Sequence, residues 1–173
     1  MNRMDFCTHR VLVVGGKTYS IQLLRAALAV AGIGNIVHVG EGHRALALLG
    51  RVRFNAVFCD HHATSPGNKS FIVAARHDKS ALNPMIPIFL LKERASRRDV
   101  EAARDSGATD VLTIPISAKT LITKLESAIR APRPFIVASD FFGPDRRSKA
   151  RMTYDDSDRR KLVPKKTKVI VHI

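Results

Sequence analysis

Tryptophan is absent, and all aromatics together make up 6% of the chain. Phe and Tyr are thus the only aromatics, and the 45% apolar content is enough for one core. Only two cysteines are present, Cys7 and Cys59. That number rules out a disulfide-stapled scaffold and any cysteine-based zinc motif, and it suits a reducing cytoplasm. Cys59 ends an apolar run and reads as a small buried hydrophobe. Long hydrophobic stretches are missing too: no run approaches the ~18 residues of a membrane span. Residues 1–10 lack the apolar segment of a signal peptide. The expected location is thus the cytoplasm. Acidic side chains are scarce, 15 against 29 Lys and Arg, for a formal net charge of +14. Such an excess favours an anionic partner: nucleic acid, nucleotide, anionic membrane or an acidic protein face. It is densest at the end, where residues 131–173 hold 11 of the basic residues and 5 of the acidic ones.

What is present over residues 10–131 is an alternation of short apolar runs and helical periods. Arg10–Val14 reads as a buried strand stopped by Gly15-Gly16, and Ile21, Leu24, Leu28 and Ala31 recur at helical spacing before Gly32. Further strands are expected at Ile36–Val39, Ala56–Cys59 ending at Asp60, Ile86–Leu91 and Val111–Ile114. Helices are expected near Ala45–Leu49, Phe71–Arg76 and Arg97–Ser106, with a last one opened by Ile116-Ser117. Strands this continuously apolar belong to a parallel sheet covered by helices on both faces. Function in such folds gathers at the carboxyl ends of the strands, here Gly15-Gly16, Asp60, Lys92 and Ile114-Pro115. The expected domains are 9–131 and a basic tail, 132–173. Pro132 and Pro134 break the last helix, and 132–167 read as disordered, locally ordered, or folding on binding. Lys168–Ile173 reads as an edge strand or a loose terminus.

The tail repeats an Asp-Arg-Arg triplet, Asp145-Arg146-Arg147 and Asp158-Arg159-Arg160, each a few residues after an aromatic, with Arg151 and Tyr154 between. Arginine bonds bidentately to the O6/N7 edge of guanine and stacks on base faces. A carboxylate accepts from the opposite N–H edge. A guanine-nucleotide clamp through these eight residues is the sharp reading, and a nonspecific basic tail is the bland one.

Other motifs weigh less. Gly15-Gly16-Lys17-Thr18 lacks the upstream glycine of a phosphate loop, since Val11 holds that position. His61-His62 beside Asp60 are expected to point apart, as solvated loop residues without a third ligand, so no metal site is expected. Arg94, Arg97 and Arg98 gather at the start of a helix, where positive charge is unfavourable. They form a solvated face or part of an anion- or partner-binding surface. Lys165, Lys166 and Lys168 read as electrostatic steering.

Val11–Ile116 resembles the receiver domain of response regulators, the family of the chemotaxis protein CheY. The resemblance rests on Phe54–Asp60, on Pro87–Leu91, and on Ser106-Gly107-Ala108-Thr109-Asp110 leading into Val111–Pro115. It implies a doubly wound α/β fold with a five-stranded parallel sheet of order 2-1-3-4-5. It also implies that Asp60 is the phospho-acceptor position. The chain departs from the family at the acidic pair after strand one, here Gly15-Gly16. It departs again at the Ser/Thr ending strand four, here Lys92, at the lysine before the proline, here Ile114, and at the aromatic of strand five, here Val111. Magnesium is a hard cation held by oxygen ligands, so loss of the acidic pair disfavours it and makes Asp60 a vestigial position. Arg133–Arg160 is similar to the arginine-rich extension of CheY-like effectors of cyclic di-GMP, with Phe142-Gly143-Pro144-Asp145-Arg146-Arg147 as the matching segment. That implies the dinucleotide as ligand and a partner such as a flagellar motor component.

The leading expectation is accordingly a non-enzymatic signalling adaptor that binds cyclic di-GMP through its tail. The second is a stand-alone phosphorelay regulator phosphorylated on Asp60 by a histidine kinase. The third is a basic module associated with nucleic acid.

Overall fold

The computed structural model describes residues 5–15, 18–65, 67, 69–138, 141–145 and 168–170. The chain runs β1 (Arg10–Val14), α1 (Thr18–Val30), β2 (Asn35–Val39), α2 (Gly42–Leu49), β3 (Ala56–Asp60), β4 (Thr64–Ser65), β5 (Lys69–Ser70) and α3 (Phe71–His77). It continues through β6 (Ile88–Lys92), α4 (Arg97–Asp105), β7 (Asp110–Thr113), α5 (Ala118–Arg130), β8 (Phe135–Val137), β9 (Phe142–Pro144) and β10 (Lys168–Ile170). Five strands form an all-parallel sheet of order β2-β1-β3-β6-β7, the expected 2-1-3-4-5 arrangement.

β1 explains why its sequence lacks polar alternation. Val11 and Val13 point into one core with Leu24, Leu28, Leu121 and Leu125 of α1 and α5. Leu12 and Val14 point into the other with Ala45, Leu49, Phe71 and Ala75 of α2 and α3. Successive strand residues face opposite sides, and both sides here are closed, so all four are wholly buried. Burying such a side chain contributes roughly 1.5–3 kcal/mol. Phe58 and Phe89 stack on neighbouring strands, their ring centroids 5.2 Å apart. The core also reaches back to Phe6, 2% exposed, three residues before the expected boundary at residue 9.

Local signals set the helix ends. Ser96 caps α4 by accepting from the Asp99 backbone N–H, while Asp99 accepts from the Ser96 N–H, a reciprocal capping box. That arrangement, with the 2.9 Å Arg97–Glu101 pair, offsets the arginines at the start of this helix. α5 stops at Arg130 because Pro132 forces Ala131 out of helical conformation.

Of the alternatives for the tail, local order holds at Phe135–Val137 and Phe142–Pro144. β8 and β9 pair antiparallel, Phe135 opposite Pro144, and β10 adds to the other edge of β8. The apolar run at Lys168 therefore forms an edge strand, in this small sheet. The hairpin seats on the end of the domain where the strands begin. There Arg76, 3% exposed, lies in the last turn of α3. Its Nε donates to the Gly107 carbonyl at 3.0 Å, and Nη1 donates to those of Pro84 and Ile86 at 2.7 Å. Its guanidinium lies 5.1 Å from the Phe135 ring centroid, a cation–π contact. Burial lowers its pKa below the usual guanidinium value. Gly107, at φ +92°, has no room for a side chain: a Cβ would sit 2.8 Å from the Phe142 carbonyl oxygen. Opposite it, a Cβ on Gly143 would sit 2.8 Å from the Gly107 Cα. Two glycine backbones thus meet face to face where the hairpin docks.

Candidate functional site

The carboxyl ends of the parallel strands open a cleft of about 260 Å³, lined by Asp60, His61, His62, Lys92, Arg94 and Ile114 among others. Asp60 is the last residue of β3. The four residues before it are buried, whereas its own side chain is 14% exposed. The chain then turns sharply, with the Ala63 N–H donating to the Asp60 carbonyl at 3.0 Å. The turn folds back over the carboxylate. Asp60 Oδ1 accepts from the His62 backbone N–H at 2.9 Å and lies 3.0 Å from His61 Nδ1.

The two histidines do not point apart as the sequence suggested. Their ring centroids are 3.7 Å apart with the planes tilted by 41°. Asp60, His61 and His62 each offer a ligand atom within 4.8 Å of the others. The carboxylate of Asp60 thus stands beside both rings. The sequence placed both histidines on the loop after the strand, and the tight turn there brings their rings together.

Gly15 closes the opposite wall at φ +67°, and a Cβ there would lie 3.6 Å from the Asp60 Cβ. A side chain at this position would face Asp60, and glycine leaves that side without a carboxylate. Ile114 is 7% exposed and joins the core beneath the cleft. Lys92, ending β6, enters the cleft wall, but its Nζ is 2.5 Å from Asp99 Oδ1. The Lys92 hydrogen bond, followed by those from Ser96, holds the Asp99 carboxyl well below the usual range. Arg94 is exposed at the rim, while Arg97 pairs with Glu101.

The tail candidates divide. Asp145 follows β9 and its N–H donates to the Pro134 carbonyl at 2.7 Å. Arg146, Arg147, Arg151, Tyr154, Asp158, Arg159 and Arg160 lie outside the described residues. Asp145, beside Pro134, stands at the opposite end of the sheet from Asp60. Phe142-Gly143-Pro144, read as part of a ligand motif, is also a packing element, since Gly143 rests on Gly107.

A parallel sheet of this order, with an aspartate ending its central strand at an open cleft, defines the class: the fold is that of a CheY-like response-regulator receiver domain. No protein-family model matches the chain. The transcriptional regulatory protein ZraR of Salmonella typhimurium is 30% identical over 123 residues, covering 71% of this chain and 27% of that protein. The chemotaxis response regulator CheY4 of Vibrio cholerae is 25% identical, with a TM-score of 0.56 over 68% of this chain and 96% of that one. The receiver domain of the sensor histidine kinase PA1611 of Pseudomonas aeruginosa, solved with magnesium in its active-site cleft, is 22% identical. Its TM-score is 0.60 over 71% of this chain and 98% of that one. The chain spans less than a third of the length of the curated relatives it matches. No helix among the described residues is long and apolar enough to cross a membrane.

Proposed function

We propose that this chain is a signalling module of the two-component type, with Asp60 accepting a phosphoryl group from a histidine-bearing donor. The observation that carries the reading is the place of Asp60, partly exposed at the end of a buried central strand and facing an open cleft. In the transfer an Asp60 oxygen forms a P–O bond as the P–N bond to the donor imidazole breaks, and the departing nitrogen takes a proton from water. Charge on the transferring oxygens must be met by positioned donors. This chain supplies the His62 backbone N–H, the His61 ring and the Arg94 guanidinium at the rim. Lys92 joins them only when it leaves Asp99. Magnesium does not fit the donors present, because Gly15 and Gly16 stand where the receiver family carries its acidic pair, and a hard cation needs oxygen ligands. The test is labelling by a radioactive phosphohistidine donor. Asp60→Asn should abolish a base-labile label, and a label that survives it, or none on the unaltered chain, overturns the reading.

A second reading is favoured by the hairpin. β9 anchors Phe142-Gly143-Pro144 on the domain and fixes Asp145 through Pro134, and Arg146 and Arg147 come next in sequence. Cyclic di-GMP binding through this arginine-rich segment would give the module a second input and would suit docking on a partner such as a motor component. Ordering a segment on binding costs about 2–5 kcal/mol, so several arginine–guanine contacts of about 1–3 kcal/mol each are required. Calorimetric titration of the dinucleotide into the full chain should show saturable binding that Arg146→Ala with Arg147→Ala removes and GTP does not mimic. A steep salt dependence without guanine preference would instead indicate general nucleic-acid binding.

A further inference from the structure

The cleft holds a donor set whose two imidazole rings are suited to a second chemistry besides phosphoryl acceptance. Two imidazoles and a carboxylate converge within 4.8 Å, and the rings face each other at 3.7 Å. Ligand atoms about 2.0–2.1 Å from a tetrahedral zinc lie roughly 3.3 Å apart. The 3.0 Å from His61 Nδ1 to Asp60 Oδ1 is already close to that edge, and His61 and His62 are exposed enough to rotate the remaining distance. The His62 N–H bond to Oδ1 holds the turn that gathers the three groups. Of the cations lining the cleft, Lys92 is paired with Asp99 at 2.5 Å and Arg94 is exposed at the rim. Imidazole with one carboxylate suits borderline divalent ions, whereas magnesium and calcium want oxygen.

We propose that Asp60, His61 and His62 bind a borderline divalent cation of the zinc, cobalt or nickel type, leaving its remaining coordination position open to the cleft. Such an ion engages the carboxylate that would attack phosphorus, so metal occupancy and phosphoryl acceptance are alternatives at one residue. The inference rests on the geometry of the cleft and stands whether or not Asp60 is ever phosphorylated.

The experiment is titration of the full chain, carrying Cys7→Ser to remove the exposed thiol, with cobalt followed by visible absorption and with zinc followed by calorimetry. Magnesium is the control. One equivalent should bind, with the intense visible bands of low-coordinate cobalt, and zinc should displace it. Loss of a group that merely orients a ligand costs about 10–100-fold in affinity, and loss of a ligand costs at least as much. His61→Ala, His62→Ala and Asp60→Asn should each weaken binding by that factor, with His77→Ala unchanged. Because His61 and His62 are exposed, their variants should keep the unaltered far-ultraviolet dichroism, and zinc should raise the melting temperature of the unaltered chain alone. Absence of saturable binding overturns the proposal, as does binding retained in the double histidine variant. Failure of Asp60 labelling leaves this result untouched, so the two readings fail separately.

Discussion

The two ends of the sheet use charged residues in opposite ways. At the carboxyl end, Asp60, His61 and His62 keep their polar atoms near solvent around an open cleft. At the amino end, Arg76 is buried, spends its guanidinium on three backbone carbonyls, and is covered by Phe135. A buried cation held this way organises structure, whereas partly partnered groups at an opening remain available for chemistry. The basic excess that marks this sequence is therefore not one property. Some of it, as at Arg94, is exposed at the cleft, and some is a fastener inside the fold.

The sharpest way to break the comparison is Arg76→Ala. It strands three carbonyls and vacates a packed site, so it should cost about 3–5 kcal/mol in denaturant unfolding. It should leave Asp60 labelling per folded molecule unchanged. Gly143→Val comes next, since its side chain would collide with the Gly107 backbone. The expected cost is about 1–3 kcal/mol, seen as faster hydrogen exchange at the Ala138 and Asp145 amides, which the hairpin protects. Ser96→Ala removes the α4 cap and should cost about 1 kcal/mol. The same capping box gives a pH signature. Asp99 has its pKa lowered in the folded state, so its contribution is complete above the ordinary value of 3.8 and fades as pH falls below it. Asp99→Asn should flatten the acid limb of the stability profile. The smallest effect is chemical. Burial pushes the Cys59 thiol up to about 12, so alkylation of the native chain should modify only the exposed Cys7, and Cys59 should react on unfolding.

Sequence reading succeeded where one physical rule dominated. β1, β3 and the helices after them follow from apolar runs cut by glycine and from faces at helical spacing, because a sheet buried on both sides leaves little freedom. Asp60 was legible because it is the first polar residue after Ala56–Cys59. The cleft was less so: the convergence of His61 and His62 depends on a turn closed by the Ala63 N–H, which side-chain spacing does not encode. The hairpin was missed because Phe135-Ile136-Val137 and Phe142-Gly143-Pro144 are too short to show a period. Their stability comes from Arg76 and Gly107, about thirty residues apart in the chain and brought together only by the fold. Arg76 carried no signal of its own, being a charge at the end of an otherwise apolar helix.

The meeting of Gly107 and Gly143 bears on how the protein can be dissected. The repeating strand–helix pattern ends at Arg130, which invites a cut after Ala131. That cut removes Phe135 from a buried cation and uncovers the Gly107 backbone. A fragment so made would be weakened for reasons unrelated to any ligand, and a binding loss in it would be misassigned. Cutting after Asp145 removes, among the described residues, the β10 edge alone and keeps the glycine seam shut. It is the division that tests the arginine-rich segment without disturbing the packing around Arg76.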